Sequence, residues 1–242
     1  MSYFNGPKSI TNGLVLCLDA ANNKSYVGSG TSWNDLSGNN NTGTLTNGPT
    51  YTSSFGGGIV FDGTNDYVSC PTSLLDNYLN GTILAWLNLN SVANSVITSR
   101  QKDGVGTYSV FSVGTYSSSG GGSTTGTAGK LYWHGKNSVV QAASTNTITT
   151  GAYYHVSVTF NSTQAIFYIN GVYDSTTSGD YSSGDSGGIL SPNYTQIGCW
   201  NNNSIISGPL NGFISAVNVY NRVLTASEVL QNYNATKGRY GL

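Results

Sequence analysis

Ile59-Val-Phe-Asp-Gly-Thr-Asn-Asp-Tyr-Val68 is the stretch on which the fold turns. Its apolar run, Ile59 to Phe61, is cut by Asp62-Gly63 and Asn65-Asp66 and resumes at Tyr67-Val68. That pattern predicts strand, tight polar turn and strand, the ordinary signal of a hairpin. Outward from it, residues 13–20 are apolar enough to lie inside a sheet, and Thr82-Ile-Leu-Ala-Trp-Leu-Asn-Leu89 reads as a central strand with Trp86 in the core. Tyr154, Val156, Val158 and Phe160 alternate with His155, Ser157 and Thr159, so the two sets face opposite sides of one strand. Residues 165–169 and Val172-Tyr173 flank Asn170-Gly171, the pair that supplies the positive φ angles of a type I′ hairpin turn.

One helix is predicted. Thr225 and Glu228 form a capping box, each side chain satisfying a backbone donor of the first turn. Leu224 and Val229 fall at the staple positions, and Val229, Leu230 and Tyr233 are the expected buried stripe. Residues 1–12 are polar, carry Gly6-Pro7, and read as an N-terminal arm ahead of a single domain over residues 13–242. Tyr3, Phe4 and Ile10 are the arm's few anchors, expected to dock on a neighbouring subunit.

Composition narrows the function. Charged residues are 8% of the chain, against roughly a quarter in an average soluble domain. With 17 Tyr, 4 Trp and a formal net charge of −1, the chain is ordered and nearly neutral. No basic field exists to attract phosphates, so nucleic acid is not an expected partner. Cys17, Cys70 and Cys199 cannot all pair within one chain and have no zinc-type spacing. Residues 1–12 hold no apolar segment of the kind a signal peptide needs, so neither export nor a membrane span is expected, and synthesis is expected in a reducing cytoplasm.

The quoted stretch, with Gly13-Leu-Val-Leu-Cys-Leu-Asp-Ala20 before it and Tyr168-Ile-Asn-Gly-Val172 and Leu210-Asn-Gly-Phe-Ile-Ser-Ala-Val-Asn-Val-Tyr220 after it, resembles the laminin-G-like branch of the concanavalin A-like jelly-roll domains. The resemblance runs from about Gly13 to Tyr233. It implies an all-β fold: a two-sheet antiparallel jelly-roll sandwich with one short C-terminal helix. Leaderless chains of this type are similar to structural proteins of tailed bacteriophages, cyanophages included. The expected setting is therefore the virion surface, as capsid decoration, head fibre or tail adhesin. Expected partners are other virion proteins and further copies of the chain, with a host-surface glycan as a possible ligand. The alternative is a lectin-like adhesin domain not tied to a virion.

Glucanase relatives carry their acids as Glu-x-Asp-x-(x)-Glu on one strand. Here Glu228 is the single glutamate, committed to the helix cap, and no carboxylate pair of that spacing exists, so an enzyme is not expected. Gly184-Asp-Ser-Gly-Gly188 imitates a protease nucleophile loop, but His134 and His155 lack that family's context, and small residues match cheaply in a Gly/Ser-rich loop. A structural calcium is a candidate at Asp62, Asn65 and Asp66, which offer hard oxygens on one turn; Asx turns to their own backbone are the alternative. Trp200 with Asn201 and Asn202, and Trp133, are the candidate sugar-binding residues, since stacking rings and amides recognise sugar faces and hydroxyls. A core position is the competing assignment for Trp200.

Overall fold

The computed structural model describes residues 7–71, 74, 79–102, 108–114, 117–118, 122–123, 126–135, 141–182, 193–202 and 205–242, with the backbone alone at a few of these positions. The strands begin with β1 (Leu14–Asp19), β2 (Ser32–Trp33), β3 (Gly43–Thr46), β4 (Thr50–Thr52), β5 (Gly58–Asp62), β6 (Tyr67–Cys70) and β7 (Gly81–Leu89). They continue with β8 (Asn94–Lys102), β9 (Tyr108–Gly114), β10 (Ser117–Ser118), β11 (Gly122–Ser123), β12 (Lys130–His134), β13 (Gln141–Thr147) and β14 (Tyr153–Phe160). The last are β15 (Gln164–Ile169), β16 (Val172–Ser178), β17 (Asn193–Ile197), β18 (Trp200–Asn202), β19 (Ile205–Ser207) and β20 (Asn211–Tyr220), before helix α1 (Ala226–Thr236).

Two eight-stranded antiparallel sheets result. The first runs β16-β15-β14-β7-β20-β5-β4, with β1 also paired to β20. The second runs β13-β12-β9-β8-β17-β6-β3-β2. Their inner faces share one core, in which Leu16, Phe61 and Val156 of the first sheet meet Val68, Phe111 and Trp133 of the second. The predicted jelly-roll sandwich is the observed architecture, and β7 is a central strand buried along its whole length.

The stretch that decided the fold is not a hairpin. β5 pairs with β4 and β20 in the first sheet, whereas β6 pairs with β3 and β17 in the second. A strand–turn–strand pattern dictates a chain reversal but not the partner. Phe61 and Val68 both need burial, and they find it in the interior from opposite sheets. The arch is closed by side chains: the Asp62 N–H donates to Asp66 Oδ2 at 3.0 Å, and the Thr64 N–H to Asp62 Oδ1 at 2.7 Å. By contrast, Asn170-Gly171 is the expected hairpin, with φ of 53° and 75° and Ile169 paired to Val172. Gly171 is demanded twice over, because a Cβ there would lie 2.9 Å from Tyr233 Cβ on the helix.

Helix α1 lies on the outer face of the first sheet. Its capping box is formed: the Glu228 N–H donates to Thr225 Oγ1 and the Thr225 N–H to Glu228 Oε2. Arg222 grips the same carboxylate at 2.6 Å and holds its pKa down at about 2. Leu224 and Val229 are buried together as the staple predicts. The buried stripe needs correction: Leu230 is 42% exposed and Asn232 takes the inner position at 4%. An i, i+3, i+4 face centred on Val229 passes through Asn232 and Tyr233, and leaves Leu230 at its edge.

The arm is also corrected. Ile10, expected to anchor on a neighbour, packs against the chain's own cluster of Leu84, Tyr220 and Val229. Four hydrogen bonds pin the segment. The Ile10 N–H donates to Asn232 Oδ1, and the Ile10, Lys8 and Asn12 carbonyls accept from Tyr220 Oη, Gln231 Nε2 and Arg222 Nε. Tyr3 and Phe4 lie outside the described residues. Among the described residues no helix is long and apolar enough to cross a membrane.

Candidate functional site

The three proposed calcium ligands share one turn but serve its own hydrogen bonding. Asp62 Oδ1 takes the Thr64 amide, Asp66 Oδ2 takes the Asp62 amide, and the Asn65 carbonyl accepts from Asn47 Nδ2 at 2.9 Å. Burial pushes the Asp66 carboxyl up from its usual range. Calcium takes about six to eight oxygens, and here both carboxylates already accept amides of their own turn, as an Asx-type arch requires. No group of three His, Cys, Asp or Glu poised for a metal occurs among the described residues.

The proposed sugar-binding tryptophans are both covered. Trp133 is fully buried between the sheets, stacked on Phe160 at 4.3 Å, with its indole N–H donated to the Tyr181 carbonyl. No face of that ring is open to a sugar. Trp200, at 3% exposure, packs on Val96 and Val110 of the second sheet's outer face, carried there by the β18–β19 hairpin. Asn201 and Asn202 extend the same hairpin strand, paired with Ile206 and Ile205; their side chains are outside the described residues. Ser186 of the protease-like stretch is outside them as well.

A cavity of about 200 Å³ opens instead on the outer face of the first sheet, below α1 and the arm. Its floor follows from strand register. Asp19, Ala216, Trp86 and His155 stand in one row across β1, β20, β7 and β14, with Cys17, Asn218 and Leu84 in the next. Ile10 of the arm, Asn232 and Thr236 of α1, and Arg239 and Tyr240 beyond it supply the roof. Ala216 and Asn218 stand in the middle of this covered face yet are only partly buried, so solvent reaches the floor.

The walls are neutral. Asp19 and Arg239 cancel in an ion pair at 2.7 Å. Burial drives the Cys17 thiol up to about 12, which keeps it protonated and unreactive. Trp86 is held between rings, stacked on Tyr240 at 4.1 Å, and its indole N–H donates to Thr236 Oγ1. His155 is 3% exposed, and desolvation lowers its pKa to about 3, so the imidazole is uncharged. Its Nδ1 is buried without a hydrogen-bond partner. The alternation of β14 placed His155 on the face away from the core, but the capping box alone could not say that a helix would close over it.

The acids serve local structure. Each carboxylate among the described residues is engaged: Asp35 on the amides of Cys17, Ser37 and Asn41, Asp174 on those of Thr145 and Asn146, Asp180 on Ser182, and Glu228 on Arg222 and Thr225. Both histidines are buried and held neutral.

Among solved structures, domain 4 of an extracellular arabinanase from Geobacillus stearothermophilus, in complex with arabinotriose, is similar at TM-score 0.64 and 18% identity, covering 91% of this chain and 98% of that domain. The binding domain of Paraclostridial Mosquitocidal Protein 1 matches at TM-score 0.64 and 18% identity over 93% of this chain and 52% of its own length. A Trypanosoma rangeli sialidase mutant displaying trans-sialidase activity matches at TM-score 0.65 and 15% identity over 97% of this chain and 35% of that one. At such identities these likenesses show the fold. The chain thus spans nearly all of the arabinanase domain but only about half of the toxin domain and a third of the sialidase. No curated protein matches the chain in sequence. The model of the Concanavalin A-like lectin/glucanases superfamily matches residues 62–230, most of the chain, which therefore belongs to that family.

Proposed function

We propose that the chain is a non-catalytic recognition domain whose ligand is a neutral carbohydrate. The observation that carries this reading is the state of the acids: each described carboxylate is spent on a local amide or an arginine. Glycoside hydrolysis needs two carboxyls free to face a sugar bond. A fold shared with lectins, near-zero net charge and a neutral cavity favour binding without turnover, and an uncharged glycan over a sulfated one. Similarity to a domain solved with arabinotriose supports the same ligand class.

The test is a glycan array probed with the full chain, alongside a reducing-end assay on the polysaccharides that bind. Retention of one or more neutral glycans without release of reducing ends is the expected result. Steady release of reducing ends would replace this reading with a hydrolase, and an empty array would remove the carbohydrate.

For the setting, the surface of a phage particle is proposed with it, on the sequence resemblance to tailed-phage structural proteins. Attachment through Ile10 is no part of that proposal, because Ile10 is occupied by the chain's own helix. Mass spectrometry of purified particles should find the chain in many copies; its absence would leave a free lectin-like adhesin.

A further inference from the structure

The cavity on the first sheet holds a feature that packing does not account for. The His155 ring, 3% exposed, lines open space of about 200 Å³, while its Nδ1 is turned away from solvent and has no partner. An unsatisfied buried polar atom is costly, and a phenyl ring of the same outline would avoid that cost. The imidazole is well fixed otherwise. Its backbone N–H donates to Asn170 Oδ1 and its carbonyl accepts from the Asn170 N–H, while the ring sits 5.1 Å from Trp86 and 5.9 Å from Tyr233. A neutral imidazole offers one donor and one acceptor, as a sugar hydroxyl does in complement.

Size and lining select the ligand. A dry cavity of about 150 Å³ accommodates a bare six-membered ring, so about 200 Å³ suits such a ring carrying a few hydroxyls. Leu84 and Ala216 offer it apolar contact, and His155 and Asn218 offer hydrogen-bonding groups, Thr236 Oγ1 being engaged by the Trp86 indole and the Asn232 carbonyl. The Asp19–Arg239 pair at the edge presents both signs together and favours no net charge in the ligand.

We infer that this cavity is a binding site for a single neutral sugar residue, recognised through His155 and Asn218 and roofed by the arm and α1. The site rests on the carbohydrate reading above and adds to it a place, a size and a polar contact.

The chain has only two histidines, so their ring resonances are easily separated with His155→Phe. The experiment titrates labelled full-length protein with L-arabinose, D-glucose, D-galactose, N-acetyl-D-glucosamine and arabinotriose. The expected result is a saturable shift of the His155 ring signals by one or more of them, with His134 unmoved. His155→Phe should weaken that binding at least tenfold while melting at or above the wild-type temperature, since it removes an unsatisfied group. Ala216→Phe, which fills the floor, should abolish it; if that variant does not fold, the wild-type titration and His155→Phe decide. Sugar binding that leaves His155 unmoved, or survives His155→Phe at full strength, overturns the cavity assignment but keeps the recognition function. No shift with any of these sugars leaves the cavity to water and overturns the site; an empty glycan array as well would remove both proposals.

Discussion

His155 and His134 occupy outer faces of opposite sheets, at 3% and 1% exposure, and burial depresses both imidazoles, to about 3 and about 4. Their covers differ in kind. The first sheet is roofed by a capped helix and an arm tied to it by four hydrogen bonds, and this rigid roof stands off the strands and leaves a cavity. The second sheet is covered through the β18–β19 hairpin, where Trp200 lies directly on Val96 and Val110, and just before it the Cys199 carbonyl accepts a hydrogen bond from the Ser99 hydroxyl. A helix bridges between ridges of side chains, whereas a hairpin follows the surface it covers. The face under the helix is the one that carries the cavity described among these residues.

The largest test of this contrast is pH. Both rings are neutral in the fold and have an ordinary value of 6.5 when released. Below that value the unfolded chain binds protons that the folded chain refuses, so stability present above pH 6.5 is lost as pH falls toward 4 and then 3. Each histidine should contribute a slope approaching about 1.4 kcal/mol per pH unit. Chemical denaturation between pH 6.5 and 5 should show both contributions, and His155→Phe should remove roughly half the slope. An unaltered slope would mean that the helix roof admits water to His155 freely.

Deleting residues 1–12 comes next. It strips the Ile10 amide from Asn232 Oδ1 and the Ile10 carbonyl from the Tyr220 hydroxyl, which keeps only Asn232 Nδ2, and a buried group left unsatisfied costs about 1–3 kcal/mol. A clearly lowered denaturation midpoint is expected. An unchanged midpoint would return the arm to the role its composition suggested, that of a segment free to dock on a neighbour.

Thr225→Ala removes one half of the capping box and should cost about 1 kcal/mol, with the loss confined to the first sheet's cover. If hydrogen exchange in the β18–β19 hairpin rises equally, the two covers are coupled rather than independent. The smallest expected effect is that of chelator. With Asp62 and Asp66 engaged on their own amides, melting curves with calcium and with EDTA should superimpose; a calcium-dependent rise abolished by Asp66→Ala would restore the metal.

Local chemistry was legible wherever a residue acts within a few positions of itself. The Asn170-Gly171 turn, the Thr225–Glu228 box and the alternation of β14 all follow from backbone rules spanning two to four residues. Tertiary structure decided what depends on distant partners. Asp62 to Asp66 reverses the chain in a hairpin and in an arch alike, and only the placement of Phe61 and Val68 in opposite sheets separates the two. Trp200 precedes a run of asparagines yet is buried, and Trp133 is buried with it, since burial is conferred by strands and loops far away in the chain. The cavity joins Cys17, His155, Asn218 and Asn232 across more than two hundred residues. No local pattern encodes such a meeting, because it is set by strand register and by where the helix comes to rest.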